Sequence, residues 1–96
     1  MGRLPRAIRR LTNDELIGEC LPKRPILEIF SDNRVYIERH LGVYEYNNTE
    51  IQIGVCFGKV VIRGEHLTLA SMTKESLVIT GKIRCVEFVR NDAYEK

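Results

Sequence analysis

Chemistry in this chain would have to come from two histidines, three cysteines and a scatter of carboxylates. His40 and His66 each abut a turn, and neither has a second histidine at metal-ligand spacing. Glu65 precedes His66, but adjacent residues of a strand point to opposite faces, so the two are not a natural ligand pair. Both histidines are expected to be exposed and inert. Cys20, Cys56 and Cys85 are odd in number and contain no Cys-x-x-Cys pair, which argues against a disulfide framework or a zinc site. They read as small apolar packing residues in a reducing compartment. Glu38, Glu45 and Glu87 fall on polar strand positions, where a carboxylate is most simply a solvated charge. An acid–base pair among them would need like charges forced together in a cleft. There is no Gly-x-Ser-x-Gly elbow, no glycine-rich phosphate loop before a helix and no His-Glu-x-x-His. The residues describe a protein that is not an enzyme and takes no metal or cofactor.

Positioning falls to β-strands. Between Arg34 and Phe88 apolar and polar residues alternate over five or six positions and then break at Gly, Asn or a charged pair. A period of two puts one set of side chains on each face of a pleated strand. Ile51, Ile53, Val55 and Phe57 share one face, with Gln52, Gly54 and Cys56 on the other. Val60 and Ile62, Leu67 and Leu69, and Leu77 and Ile79 repeat the pattern. Ile37, Ile51, Ile53, Val55, Ile62, Leu67, Leu69, Leu77, Ile79, Ile83 and Phe88 form the expected core, and the phase change after Ile83 predicts a β-bulge near Arg84–Val86. Asn47-Asn48, Gly42, Gly58, Gly64 and Gly81 mark corners, and no link is long enough for a parallel crossover. The prediction is an all-β domain: a small antiparallel β-sandwich or rolled meander of six to eight short strands with a short N-terminal helix. An echo of Val60–Gly64 in Leu77–Gly81 would fit a repeated hairpin or a short β-solenoid.

At 96 residues the chain is one domain, 44% hydrophobic and 29% charged. It divides into an N-terminal arm over 1–21, a β domain over 22–89 and a polar tail over 90–96. The net charge of +2 is unevenly spread. Residues 1–25 hold six basic against three acidic side chains, whereas the rest hold nine against ten, so the β body is close to neutral. In the arm, Leu4, Ile8 and Leu11 make one helical stripe and the arginines take another side. Such a helix either packs over an open sheet end or lies on an anionic membrane through Arg3, Arg6, Arg9 and Arg10. No run of even ten uncharged apolar residues occurs, so no span and no secretory signal are expected. Tyr36, Tyr44, Tyr46 and Phe57, with Arg34, Arg39 and Arg63, could imitate the stacking face of a nucleic-acid-binding β-barrel. The near-neutral body speaks against that alternative. Ile26–Phe30 reads as a first strand, with Pro25 before it and Ser31-Asp32-Asn33 as a turn behind it. That context suits an edge strand, where Leu27 and Ile29 are the expected contacts for a protein partner or a second copy.

Tyr36–Val43, reading YIERHLGV, resembles the YIENHKGI signature of the YabP/YqfC sporulation proteins. Ile62–Leu69 is similar to their I-x-G-x-x-L-x-I segment, and Ser71–Ile83 to their L-T-K-E-E-L-L-I-x-G-x-I. The Leu21-Pro22 start and the Ile26–Phe30 strand match in order, so the resemblance covers about residues 20–88. The family pattern usually has Asn where Arg39 stands and Lys where Leu41 stands. The N-terminal segment looks more like that of the YqfC branch. What the resemblance implies is a small β-sandwich-like, non-enzymatic protein made in the mother cell during endospore formation. One branch is linked to spore coat assembly and the other is paired with a sporulation membrane protein, YqfD. It implies a cytoplasmic protein, peripheral at most to a membrane, with a protein partner and without cofactor or nucleic acid.

Overall fold

The structure, a computed structural model, describes residues 23–91. Six strands run through them: β1 (Ile26–Phe30), β2 (Arg34–Glu38), β3 (Gly42–Tyr46), β4 (Glu50–Val55), β5 (Gly58–Met72) and β6 (Ser76–Arg90). All pairings are antiparallel and build a single open sheet in the order β1-β2-β6-β5-β4-β3. The all-β expectation and the boundaries of β1 hold. The separate sheets of a sandwich and the sequential order of a meander do not. The N-terminal helix expected over 1–21 lies outside the described residues, as do 92–96.

β5 and β6 explain the difference. Each is 15 residues long, where the sequence suggested two short strands broken at Gly64 and at Gly81. Neither glycine ends its strand. The two face the opposite strand at a bend, and Gly81 has φ +134°, a conformation that side chains rarely adopt. A Cβ on Gly64 would collide with the Lys82 carbonyl, and one on Gly81 would lie 2.6 Å from the His66 carbonyl. Register shifts at Arg63/Gly64, Glu65/Thr68 and Leu69/Ser71 crowd around the same point, and His66 has φ 55°. The first shift leaves Arg84 as an extra residue, since Arg63 pairs with Cys85 and Gly64 with Ile83. This is the expected bulge, and it moves Val86 onto the core side opposite Ile62. The 17-residue echo falls on the first legs of these two strands, each ending at the bend.

How far the hairpin folds can be read from three backbone bonds. β4 pairs with the near leg of β5, setting Gly54 opposite Lys59. Were β5 straight, Lys59 and Glu75 would stand roughly 50 Å apart. Yet the Leu41 N–H donates to the Gly54 carbonyl at 2.7 Å, and the neighbouring Arg39 and His40 N–H groups both donate to the Glu75 carbonyl. Both ends of the hairpin therefore meet at the 39–41 link, and the sheet is doubled over. Turns close the flanks of the bend. Thr49 and Asn48 carbonyls accept from the Gly64 and Leu67 N–H groups, while Asn33 and Asp32 carbonyls accept from those of Gly81 and Ile83. Bonds lost from the ladder by bulging are thus replaced.

The core lies inside the doubled sheet: Val35, Ile37, Ile51, Ile53, Val55, Phe57, Val60, Ile62, Leu67, Leu77 and Ile79. Leu69 and Ile83, expected to be buried, are half-buried at its margin, because each adjoins a register shift. Cys56 is half-buried and disulfide-bonded, and Cys85 is free and exposed. This corrects the expectation of three packed thiols. His66 is exposed, as expected.

His40 is a further correction, being only 7% exposed. Its Nδ1 accepts from the Gly42 N–H at 2.9 Å, so the proton sits on Nε2, which donates to the Thr73 carbonyl at 3.0 Å. The ring ties the 39–41 link to the tip of the long hairpin. His40→Ala would leave a donor and an acceptor unpaired in a buried place, at a cost of about 2–3 kcal/mol by urea unfolding; a loss below about 0.5 kcal/mol would show that the ring is not a structural tie. Arg39 beside it has φ 71°, in the left-handed region that Asn tolerates and a long side chain does not. Arg39→Asn should therefore raise stability by about 0.5–1 kcal/mol, and a drop in melting temperature would contradict this account of the strain.

Candidate protein-binding edge

Folding the sheet leaves its first strand on an open border. β1 pairs with β2 in an unbroken register from Ile26↔Glu38 to Phe30↔Arg34, and no strand flanks its other side among the described residues. In an antiparallel ladder, alternate residues then direct N–H and C=O groups outward. Leu27 and Ile29, opposite Ile37 and Val35, take the core side. Leu27 packs against the core, whereas Ile29 is 54% exposed because the sheet ends there. Ile26 and Phe30 are exposed on the other side with Glu28 between them, and the Arg34 guanidinium lies 5.8 Å from the Phe30 ring centre. Four of the five side chains of β1 are apolar, and three of those four are exposed.

The opposite border is blunted. β3 carries a register shift between Val43 and Glu45, and the Tyr46 hydroxyl accepts from the Leu69 N–H at 3.1 Å. A bulge and a folded-over aromatic are ordinary ways of making a strand edge unreceptive. β1 has neither.

Beside β1 runs an open groove of about 400 Å³, lined by Arg24, Pro25, Leu27, Phe57, Phe88 and Arg90. The Phe57 and Phe88 rings meet at 6.1 Å with a 55° tilt, and the Arg90 guanidinium lies 4.7 Å from the Phe57 centre. Phe88 was expected in the core, yet it is 53% exposed. Its place opposite Val60 is on the core side, but it stands near the end of β6, at the groove rim.

Elsewhere the polar groups hold one another. Arg63 bridges Glu50 at 3.3 Å and Glu87 at 2.7 Å, and Arg84 meets Glu65 at 2.6 Å. The Gln52 amide and then Arg63 lower the Glu50 pKa, Arg84 lowers that of Glu65, and the bond to Glu87 raises that of Arg63. Glu87 is thus a cross-strand partner rather than a lone charge. Glu38 accepts from the Tyr36 hydroxyl at 3.3 Å, and partial burial followed by the Glu38 charge raises the tyrosine pKa. The carboxylates considered for acid–base work stand on three strands, Glu38 on β2, Glu45 on β3 and Glu87 on β6. Among the described residues no three His, Cys, Asp or Glu side chains group as a metal site. The aromatic set considered for base stacking is dispersed as well. Phe57 belongs to the core, Tyr36 to β2, and Tyr44 and Tyr46 to the far border. No helix among the described residues is long and apolar enough to cross a membrane. Arg3, Arg6, Arg9 and Arg10 lie outside the described residues.

The sequence reading named Leu27 and Ile29 on this strand as contacts and did not name Ile26, Phe30 or the Phe57–Phe88 groove beside it. Their signal was present in β1, whose outward face is apolar at Ile26 and Phe30 where a solvated strand would alternate to polar. No curated protein and no solved structure matches the chain. A family model does, over residues 22–95, which takes in every strand, the 39–41 link and the bend. The chain belongs to the YabP family, and that membership suggests a sporulation-related role.

Proposed function

We propose that this chain is a non-enzymatic sporulation protein that serves as a protein-interaction or assembly domain, with β1 as its contact strand. One observation carries the reading: β1 is an unbulged border strand with Ile26, Ile29 and Phe30 exposed. A strand added there gains main-chain hydrogen bonds, and alternate side chains supply selectivity. Leu27 and the Phe57–Phe88 groove offer apolar surface on the core side of the added strand. Within the family the reading takes the YqfC-like branch, with a sporulation membrane protein of the YqfD kind as partner, and coat proteins as the partners the other branch would suggest. It puts the protein in the mother-cell cytoplasm, with the basic arm as a peripheral contact to anionic membrane.

The test uses charge rather than backbone damage. Ile26 and Ile29 are exposed, so Ile26→Lys/Ile29→Lys should leave the circular dichroism spectrum and melting temperature close to wild type while guarding the border against pairing. In sporulating cells of a strain carrying only this allele, the tagged protein should reach normal levels, lose the partner that copurifies with wild type and fail to support spore formation. A folded double variant that keeps both its partner and normal sporulation would show that β1 is not the interface.

A further inference from the structure

We infer that β1 accepts a strand from a different protein rather than from a second copy, and that this strand carries a lysine or arginine between apolar residues. The inference rests on the reading of β1 as the contact strand and adds the chemistry of what it takes. Its ground is the place of Glu28 at the centre of the strand, exposed between Ile26 and Phe30. Across the sheet Glu28 faces Tyr36, not a base. Arg34 and Glu38 flank Tyr36 on the same side of β2; Arg34 lies against the Phe30 ring at one end, so it is the Ile26 end of the face that is acidic.

Consider first a two-fold antiparallel pairing of β1 with itself. The centred register sets Glu28 directly beside Glu28, and like charges opposed in a ladder repel. Sliding by one pair sets Glu28 against Ile26 or against Phe30, which strips water from a carboxylate without giving it a partner. The register that brings Arg24 to Glu28 draws Pro25 into the ladder opposite Leu27, and Pro25 has no N–H to give. Every self-pairing register therefore carries a fault, which is how border strands are kept from joining their own kind. A foreign strand avoids all three. A basic residue opposite Glu28 forms a cross-strand ion pair, and its apolar neighbours two positions away lie against Ile26 and Phe30. The residues between them point to the core side, beside Leu27, Ile29 and the Phe57–Phe88 groove, and are selected to be apolar as well.

The experiment uses the full chain and fluorescent, end-blocked heptapeptides Thr-Val-Thr-X-Thr-Val-Thr, with X lysine, glutamate or leucine and valine two positions to either side of it. Wild type should bind the lysine peptide roughly tenfold tighter than the glutamate peptide, and Glu28→Lys should invert the order. In sedimentation, wild type should be monomeric and Glu28→Val should shift toward dimer. Equal affinity for the three peptides, blocked by Ile26→Lys/Ile29→Lys, would leave β1 as the contact strand and overturn the charge selection. Peptide binding untouched by that double variant, or no binding up to millimolar peptide, would overturn the contact strand itself. A wild-type dimer that the double variant dissociates would make the second copy the occupant and sink the inference.

Discussion

The structure depends on one constraint, the doubling of the β5–β6 hairpin upon itself. A flat six-stranded sheet has two wet faces and nowhere to bury eleven apolar side chains. Bending it brings the two legs face to face, so one sheet does the work of two packed layers. The bend is possible because Gly64 and Gly81 lack the Cβ atoms that would strike the facing backbone. It is held because the 39–41 link bonds to Gly54 on β4, beside the near leg, and to Thr73 and Glu75 at the hairpin tip. His40 is buried at that junction for structural reasons, fully hydrogen-bonded through both ring nitrogens.

The contact strand follows from the same constraint. Once the long hairpin is doubled, β2 extends one leg and β4 the other, and the strands beyond them, β1 and β3, become the borders. They are treated differently. The bulge and the Tyr46 bond make β3 self-contained, while β1 keeps an even register and an apolar outward face. A protein with no use for a border strand has cheap ways to guard it, among them a lysine, a proline or a bulge within the strand. Ile26–Phe30 has none of these, and its one charge, Glu28, hinders a second copy while leaving the strand open to a basic one, which gives the assembly reading its weight.

Much of this was legible in the sequence, and the failures have physical causes. The period-two faces of Ile51–Phe57 and Leu77–Ile79, the β1 boundaries, the Asn47 turn and the Arg84 bulge are local, set by alternation and turn chemistry within a few residues. The doubling is not local. Gly64 and Gly81 carry the same signal whether a strand ends at them or bends through them, so corners and bends read alike. His40 looked exposed because it adjoins a turn, and its burial depends on Thr73, more than thirty residues away in sequence. Phe88 had the right face but not the cover, since burial at the end of a strand depends on what lies across the fold. The Asn usual at the position of Arg39 was a readable clue, because a left-handed residue is where Asn is favoured.

Amide hydrogen exchange on the isolated chain bears on the doubled sheet and its open border together. The account predicts slow exchange at Arg39, Leu41, Gly64 and Ile83, whose N–H groups close the bend, and fast exchange at alternate amides of Ile26–Phe30, whose N–H groups point outward. Fast exchange throughout 39–41, or uniform protection along all of β1, would contradict it.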